Sequence, residues 1–207
     1  MSESSVAHSV ATGRQMVIAR MSEWLQAGQR VWLCTIVETW RYSPRPVGSW
    51  LATAESGHWS GSVSGGCLEE DLLRRTAADG PDHPVFVDYG ITDDDRDHFQ
   101  LPCGGRIRLL VEPFQGQSGL DHVNALAGAL RDREPVVRRV PLKGIVALER
   151  AAVRAGKAVS FDGEKLVHVL QPECRLLLIG AGEVARYVAE FATAAEFAVT
   201  LCEPRET

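Results

Sequence analysis

The stretch Arg175-Leu-Leu-Leu-Ile-Gly180-Ala181-Gly182-Glu183-Val184-Ala185 leaves fewer folding options than any other part of the chain. A continuous apolar run predicts a strand over Arg175–Ile179. The G-x-G-x-x-A sequence predicts a tight turn, and the Ala-rich segment Gly182–Ala195 a helix. Phe197–Cys202 predicts a second strand, closed by Glu203. Strand, glycine turn, helix, strand and acid follow the order of a Rossmann dinucleotide site. In such a site the turn receives a pyrophosphate and the acid a ribose 2′-hydroxyl. Gly180, Gly182 and Glu203 are therefore candidate nucleotide contacts. A unit this short does not cover both faces of its strands or complete a dinucleotide crevice, and parallel strands are normally covered on both faces. The rest of the chain or a second copy is expected to cover Leu176–Ile179, and a symmetric homodimer is the simplest way to do so.

The remaining sequence is that of a soluble globule. Of 207 residues, 45% are hydrophobic and 24% charged, enough apolar material for a core. The net charge of −5 supplies no basic field, so nucleic acid is not an expected partner. No apolar run approaches the roughly 20 residues that span a bilayer, and the polar start has no secretory pattern. No membrane association and a cytoplasmic location are expected. The cysteines at 34, 67, 103, 174 and 202 are odd in number and widely spaced, against a disulfide framework or a structural zinc site. Cys34 and Cys174 lie in apolar strand-like runs and read as small buried hydrophobes.

Periodicity predicts a helix over 13–28 with Met16, Val17, Arg20, Trp24 and Leu25 at helical spacing, and a strand over Val31–Thr39. A short hairpin follows, Gly48–Ala54 with His58–Ser62, and then a helix over Leu68–Ala78. Val85–Tyr89 and Arg106–Val111 are further strands, separated by an acidic loop. Gln115–Gly119 reads as a linker and Leu120–Arg131 as a helix. Short strands follow at Pro135–Val140, Ile145–Leu148, Ala158–Phe161 and Leu166–Leu170. All five Trp fall in the first 59 residues and read as core. The expected fold is α/β: a mixed-sheet N-terminal domain over 13–113, a connecting β-rich region over 114–171, and the start of a Rossmann-like β-α-β unit over 172–207.

Two glycine–cysteine elements carry the candidate chemistry. Ser62-Val-Ser64-Gly65-Gly66-Cys67-Leu-Glu69 places paired glycines where a loop enters a helix. Free N–H groups there favour an anion such as a phosphate, and the helix end would make the Cys67 thiol more acidic. The same residues read equally well as a tight turn with Ser64 as N-cap and Cys67 packed inside. Cys103-Gly104-Gly105 puts a second thiol at a flexible strand entrance. Its acidic neighbour 93–97 could hold a divalent cation, but it reads better as a solvated loop. The six His show no ligand pair, so a hydrolase reading lacks a base.

These motifs together resemble the XdhC/CoxI family, the xanthine dehydrogenase accessory proteins that act as molybdenum cofactor chaperones. The resemblance rests on the early strand with its proline loop and Gly48, on Gly61-Ser-Val-Ser-Gly-Gly-Cys67-Leu-Glu, and on Cys103-Gly104-Gly105. It extends to the G-x-G-x-x-A turn and Glu203-Pro-Arg205. It implies a protein that binds and protects the molybdenum cofactor (molybdopterin) and assists its sulfuration. Insertion into a xanthine dehydrogenase-type molybdenum hydroxylase is implied too, with a cysteine desulfurase-type sulfur donor as a second partner. Ser64, Gly65, Gly66, Cys67, Cys103, Gly104 and Gly105 would then contact the cofactor, with Cys67 and Cys103 toward the molybdenum. Such a protein is a maturation chaperone more than an enzyme. The alternative is an NAD(P)-dependent oxidoreductase that uses the β-α-β unit and a reactive cysteine.

Overall fold

Val31-Trp-Leu-Cys-Thr-Ile36 is apolar on both alternating faces, a pattern suited to a strand covered on both sides. In the computed structural model, which describes residues 13–41, 43–66, 68–90, 105–150, 156–171, 175–195 and 197–205, this run opens β1 (Val31–Trp40), and all six of its residues are buried. The hairpin strands β2 (Trp50–Ala54) and β3 (Trp59–Gly61) follow, then β4 (Val85–Tyr89) and β5 (Arg106–Phe114). Their order in one sheet is β3-β2-β1-β5-β4. Every pairing is antiparallel, so this sheet is not the mixed one expected. The reason lies in the connections. Helix α2 (Glu69–Asp79) is the long crossover, and it joins β3 to β4, the two opposite edges, which are not neighbours.

One face of the sheet carries Trp32, Cys34, Leu51, Tyr89, Ile107 and Leu109, packed with Leu68 and Leu72 at the start of α2. The other carries Val31, Leu33, Trp50 and Phe114 beneath α1 (Gly13–Gln26) and α3 (Gly116–Arg131). The buried face of α1 is Val17, Ile18, Met21 and Leu25, while Met16 and Arg20 point outward. The expected linker 115–119 is instead the first turn of α3. Gly119 there is buried against Phe114, so this glycine serves close packing rather than a joint.

A second antiparallel sheet is built from β6 (Val136–Pro141), β7 (Ala147–Arg150), β8 (Val159–Phe161) and β9 (Lys165–Leu170), in the order β7-β6-β9-β8. Val140, Val159 and Leu166 pack on Leu110 of β5, and Val136 and Leu170 join the core under α1 and α3. No boundary therefore runs at 113/114, and residues 14–171 form one compact unit. Between its two sheets lies a buried ion pair, Arg138 Nη2 to Glu112 Oε1 at 2.7 Å. His168 is beside it, edge-on to Trp50. Trp32 and Trp50 are core, but Trp59 is 51% exposed, because the short edge strand β3 covers only one of its faces.

The other unit contains β10 (Arg175–Ile179), α4 (Glu183–Ala194) and β11 (Ala198–Cys202). Its strands are parallel and in register from Arg175↔Ala198 to Ile179↔Cys202, as strand–helix–strand order requires. Taken by itself, the unit leaves Leu177, Ile179, Val184 and Phe191 exposed. No helix among the described residues is long and apolar enough to cross a membrane.

Candidate functional site

The turn between β3 and α2 is organised around one side chain, Glu69. Its Oε1 accepts from Ser62 Oγ at 2.8 Å and from the N–H groups of Val63 and Ser64 at 2.9 Å each, with Gly65 N–H at 3.3 Å. Its Oε2 accepts from Gly66 N–H at 2.9 Å and from the Ser64 hydroxyl. Ser64 Oγ in turn accepts from Leu68 N–H, and Ser62 Oγ from Gly65 N–H. Burial alone would push the Glu69 carboxyl up, but the bonds from Ser64, Ser62 and Val63 outweigh it and hold the group down at about 2.

This geometry corrects the expectation that the N–H groups of Ser64–Gly66 receive a phosphate. The nest forms as expected, but an internal carboxylate fills it. The first turn of α2 also carries Glu69, Glu70 and Asp71, three negative charges where a dipole would otherwise attract an anion or acidify a thiol. Gly65 (φ 85°) and Gly66 (φ 128°) adopt backbone that L side chains rarely take, with open space where a Cβ would stand. The spacing of Gly66 and Glu69 is that of the reciprocal half of a capping box, in which an acid three residues on reaches back to an N–H. That was the signal available in the sequence for the role of Glu69.

Cys67, Cys103 and Gly104 lie outside the described residues. Gly105 is buried at the entrance to β5. Near that entrance, Asp71 of α2 accepts from Tyr89 Oη at 2.8 Å and pairs with Arg75 at 2.6 Å, tying the helix to the end of β4. Cys34 is wholly buried, and burial, followed by Glu112, pushes its thiol up to about 12, an inert group. Cys174 also lies outside the described residues. The acidic loop 93–97 does too, and among the described residues no His, Cys, Asp and Glu group is arranged to hold a metal ion.

The second glycine turn, Gly180–Gly182, is built differently. Glu203 Oε2 accepts from Ala181 N–H at 2.8 Å, and both its oxygens are held by the Arg205 guanidinium at 2.8 and 2.9 Å. Arg205 first, then the Ala181 N–H, draws the carboxyl down to about 2. The acid expected to meet a ribose hydroxyl thus already has partners, and its side chain is only partly exposed. A separate cleft of about 470 Å³ lies between Asp82–Pro84 and the β6–β7 turn at Lys143. It contains none of the residues singled out from the sequence.

Residues 24–90, from α1 through the Glu69 turn to the end of β4, match the XdhC and CoxI family. Over this span the chain is similar to that family. The XdhC and CoxI segment includes Ser64–Cys67, while Cys103–Gly105 falls beyond it. The molybdenum cofactor insertion chaperone PaoD of Escherichia coli (strain K12) is 31% identical over 118 residues, which are 55% of this chain and 35% of PaoD. A crystal structure of a xanthine dehydrogenase from Bacillus halodurans superposes with a TM-score of 0.63 at 20% identity, over 90% of this chain and 62% of that one. That likeness is one of fold. The chain spans about a third of the length of PaoD and less than two thirds of the Bacillus protein.

Proposed function

We propose that this XdhC and CoxI chain is a carrier that binds the molybdenum cofactor as cargo, protects it, and delivers it to a molybdenum hydroxylase of the xanthine dehydrogenase type. The observation that carries the reading is the prebuilt turn, Ser62–Gly66 closed on Glu69, which leads directly into Cys67 within the family segment. Similarity to PaoD supports molybdenum cofactor as the cargo. Thiolates suit a metal already held by sulfur, and open glycine backbone lets a bulky ligand approach. In this reading Cys67 and Cys103 face the molybdenum, and Ser64, Gly65, Gly66, Gly104 and Gly105 shape the wall beside it. Ser64–Gly66 contribute a rigid surface, since their N–H groups are already bonded to Glu69. Sulfuration of the cargo with a cysteine desulfurase-type donor, a homodimer and a cytoplasmic setting complete the proposal. No observation favours nicotinamide chemistry, because Glu203 is engaged by Arg205.

The test is cargo content. Purified from cells that make the cofactor, the chain should carry molybdenum and a pterin absorbance. The Cys67→Ser, Cys103→Ser double variant should fold normally and lose both. Cys34→Ser is the control, and should lower stability while leaving cargo per folded molecule unchanged. A double variant that retains molybdenum like the parent would remove the thiols from the site.

A further inference from the structure

We propose that Arg106, stacked on Trp40 at the head of β5, is an anion anchor in its own right and takes a phosphate or diphosphate group of a ligand. The inference rests on the cargo reading above only for what carries that phosphate. With Ser64–Gly66 satisfied internally, a phosphorylated ligand needs another partner, and β5 offers one directly after Gly105.

Residues two apart on a strand share a face, so Arg106 and Arg108 stand side by side, opposite Trp40 and Glu38 of β1. The two arginines are placed differently. Arg108 donates from Nε and Nη2 to the two oxygens of Asp88 at 2.8 and 3.0 Å, a closed fork, and Glu38 adds a second negative charge nearby. Arg106 lies 4.4 Å over the Trp40 ring, closer than Arg108 at 5.9 Å. Its nearest carboxylate contact is 3.7 Å, from Nη2 to Asp88, too long for a hydrogen bond. Its Nε is buried and has no partner among the described residues.

Trp40 therefore holds the guanidinium in place while its donors remain unspent. A stacked, planar fork suits phosphate oxygens, which it can meet with two parallel bonds. Leaving a buried donor unpaired is costly, which favours a ligand that supplies the missing acceptor. Arg30 provides an internal contrast. It stacks on Trp32 at 5.0 Å, but its Nη2 donates to Asp82 at 2.6 Å. Stacking alone does not make an anchor; stacking with free donors does.

The experiment titrates the full chain with inorganic pyrophosphate and follows arginine Nε–H resonances by NMR. The Arg106 signal should move saturably. Arg106→Ala should weaken pyrophosphate binding about tenfold or more. Arg30→Ala should leave it within about twofold. Arg106→Lys keeps the charge and stem without the fork, and should weaken binding severalfold. It serves the same purpose if the alanine variant fails to fold. No saturable binding by the parent, or equal affinity in the Arg106 variants, overturns the proposal. The two readings fail separately. A chain that carries no molybdenum yet binds pyrophosphate through Arg106 removes the cargo reading and keeps this one. A chain that retains cargo through its thiols, with pyrophosphate affinity indifferent to Arg106, does the reverse.

Discussion

The two glycine turns of this chain look alike in sequence and differ in what they can accept. Each leads into a helix, each has an acid nearby, and each acid is held near 2. Around Glu69 the carboxylate is buried and takes four backbone N–H groups and two hydroxyls, so the turn is closed on itself. Around Glu203 the carboxylate is only partly buried, takes one N–H of the turn, and shares its charge with the exposed Arg205. A glycine turn before a helix is an anion site only when its donors are not already claimed. The claimant can be a residue inside the helix it caps.

The largest consequence is for stability. Glu69→Ala strips the acceptor from several buried donors at once and should cost about 2–4 kcal/mol. Urea unfolding followed by Trp fluorescence reads this directly, because all five Trp lie in the first unit. Glu203→Ala should leave the unfolding midpoint by circular dichroism unchanged. Equal losses in the two variants would erase the distinction between the turns.

Acid should separate them next. Glu69 is depressed in the folded state, so its contribution is present above the ordinary 4.5 and is lost as pH falls toward about 2. Two histidines of the first unit act earlier. Burial, with Arg138 adding to it, lowers His122 from 6.5 to about 4, and His168 falls well below 6.5. Both stay neutral in the folded protein, so stability begins to fall below pH 6.5 as the unfolded chain takes up protons. The Trp-detected midpoint should be flat above pH 7, decline from 6.5, and steepen below 4.5. The Glu203–Arg205 pair, open to solvent on its arginine side, is screened and adds little to that curve. A midpoint unchanged down to pH 3 would contradict the burial of these groups.

A smaller effect is expected at Gly66. Its positive φ and open surroundings mean that Gly66→Ala meets strain without a clash, costing about 1 kcal/mol. The same variant should still carry cargo at reduced occupancy. A loss as large as that of Glu69→Ala would mean that the glycine, and not the carboxylate, organises the turn.

Much of this architecture is legible in the sequence, because periodicity is local. Val85–Tyr89 and Arg175–Ile179 form the strands expected there, and the hairpin turns at Glu55-Ser56-Gly57. What is not legible depends on partners distant in sequence. Nothing around Arg138 announces that it is buried against Glu112, and nothing at Trp40 announces that Arg106 lies on it. The apolar face of α1 lies about one residue from the expected one, because Met16 and Trp24 flank it. In the turn itself, paired glycines favour an outside anion, whereas the acid that fills the nest sits inside the helix expected over 68–78.

Amide hydrogen exchange at residues 63–66 tests the central claim most directly, measured at neutral pH with and without inorganic pyrophosphate. The account predicts that Val63, Ser64 and Gly66 are strongly protected in the free chain, lose protection in Glu69→Ala, and do not respond to the anion. Amides that exchange freely in the parent and become protected only when pyrophosphate is added would show an open nest, and would contradict it.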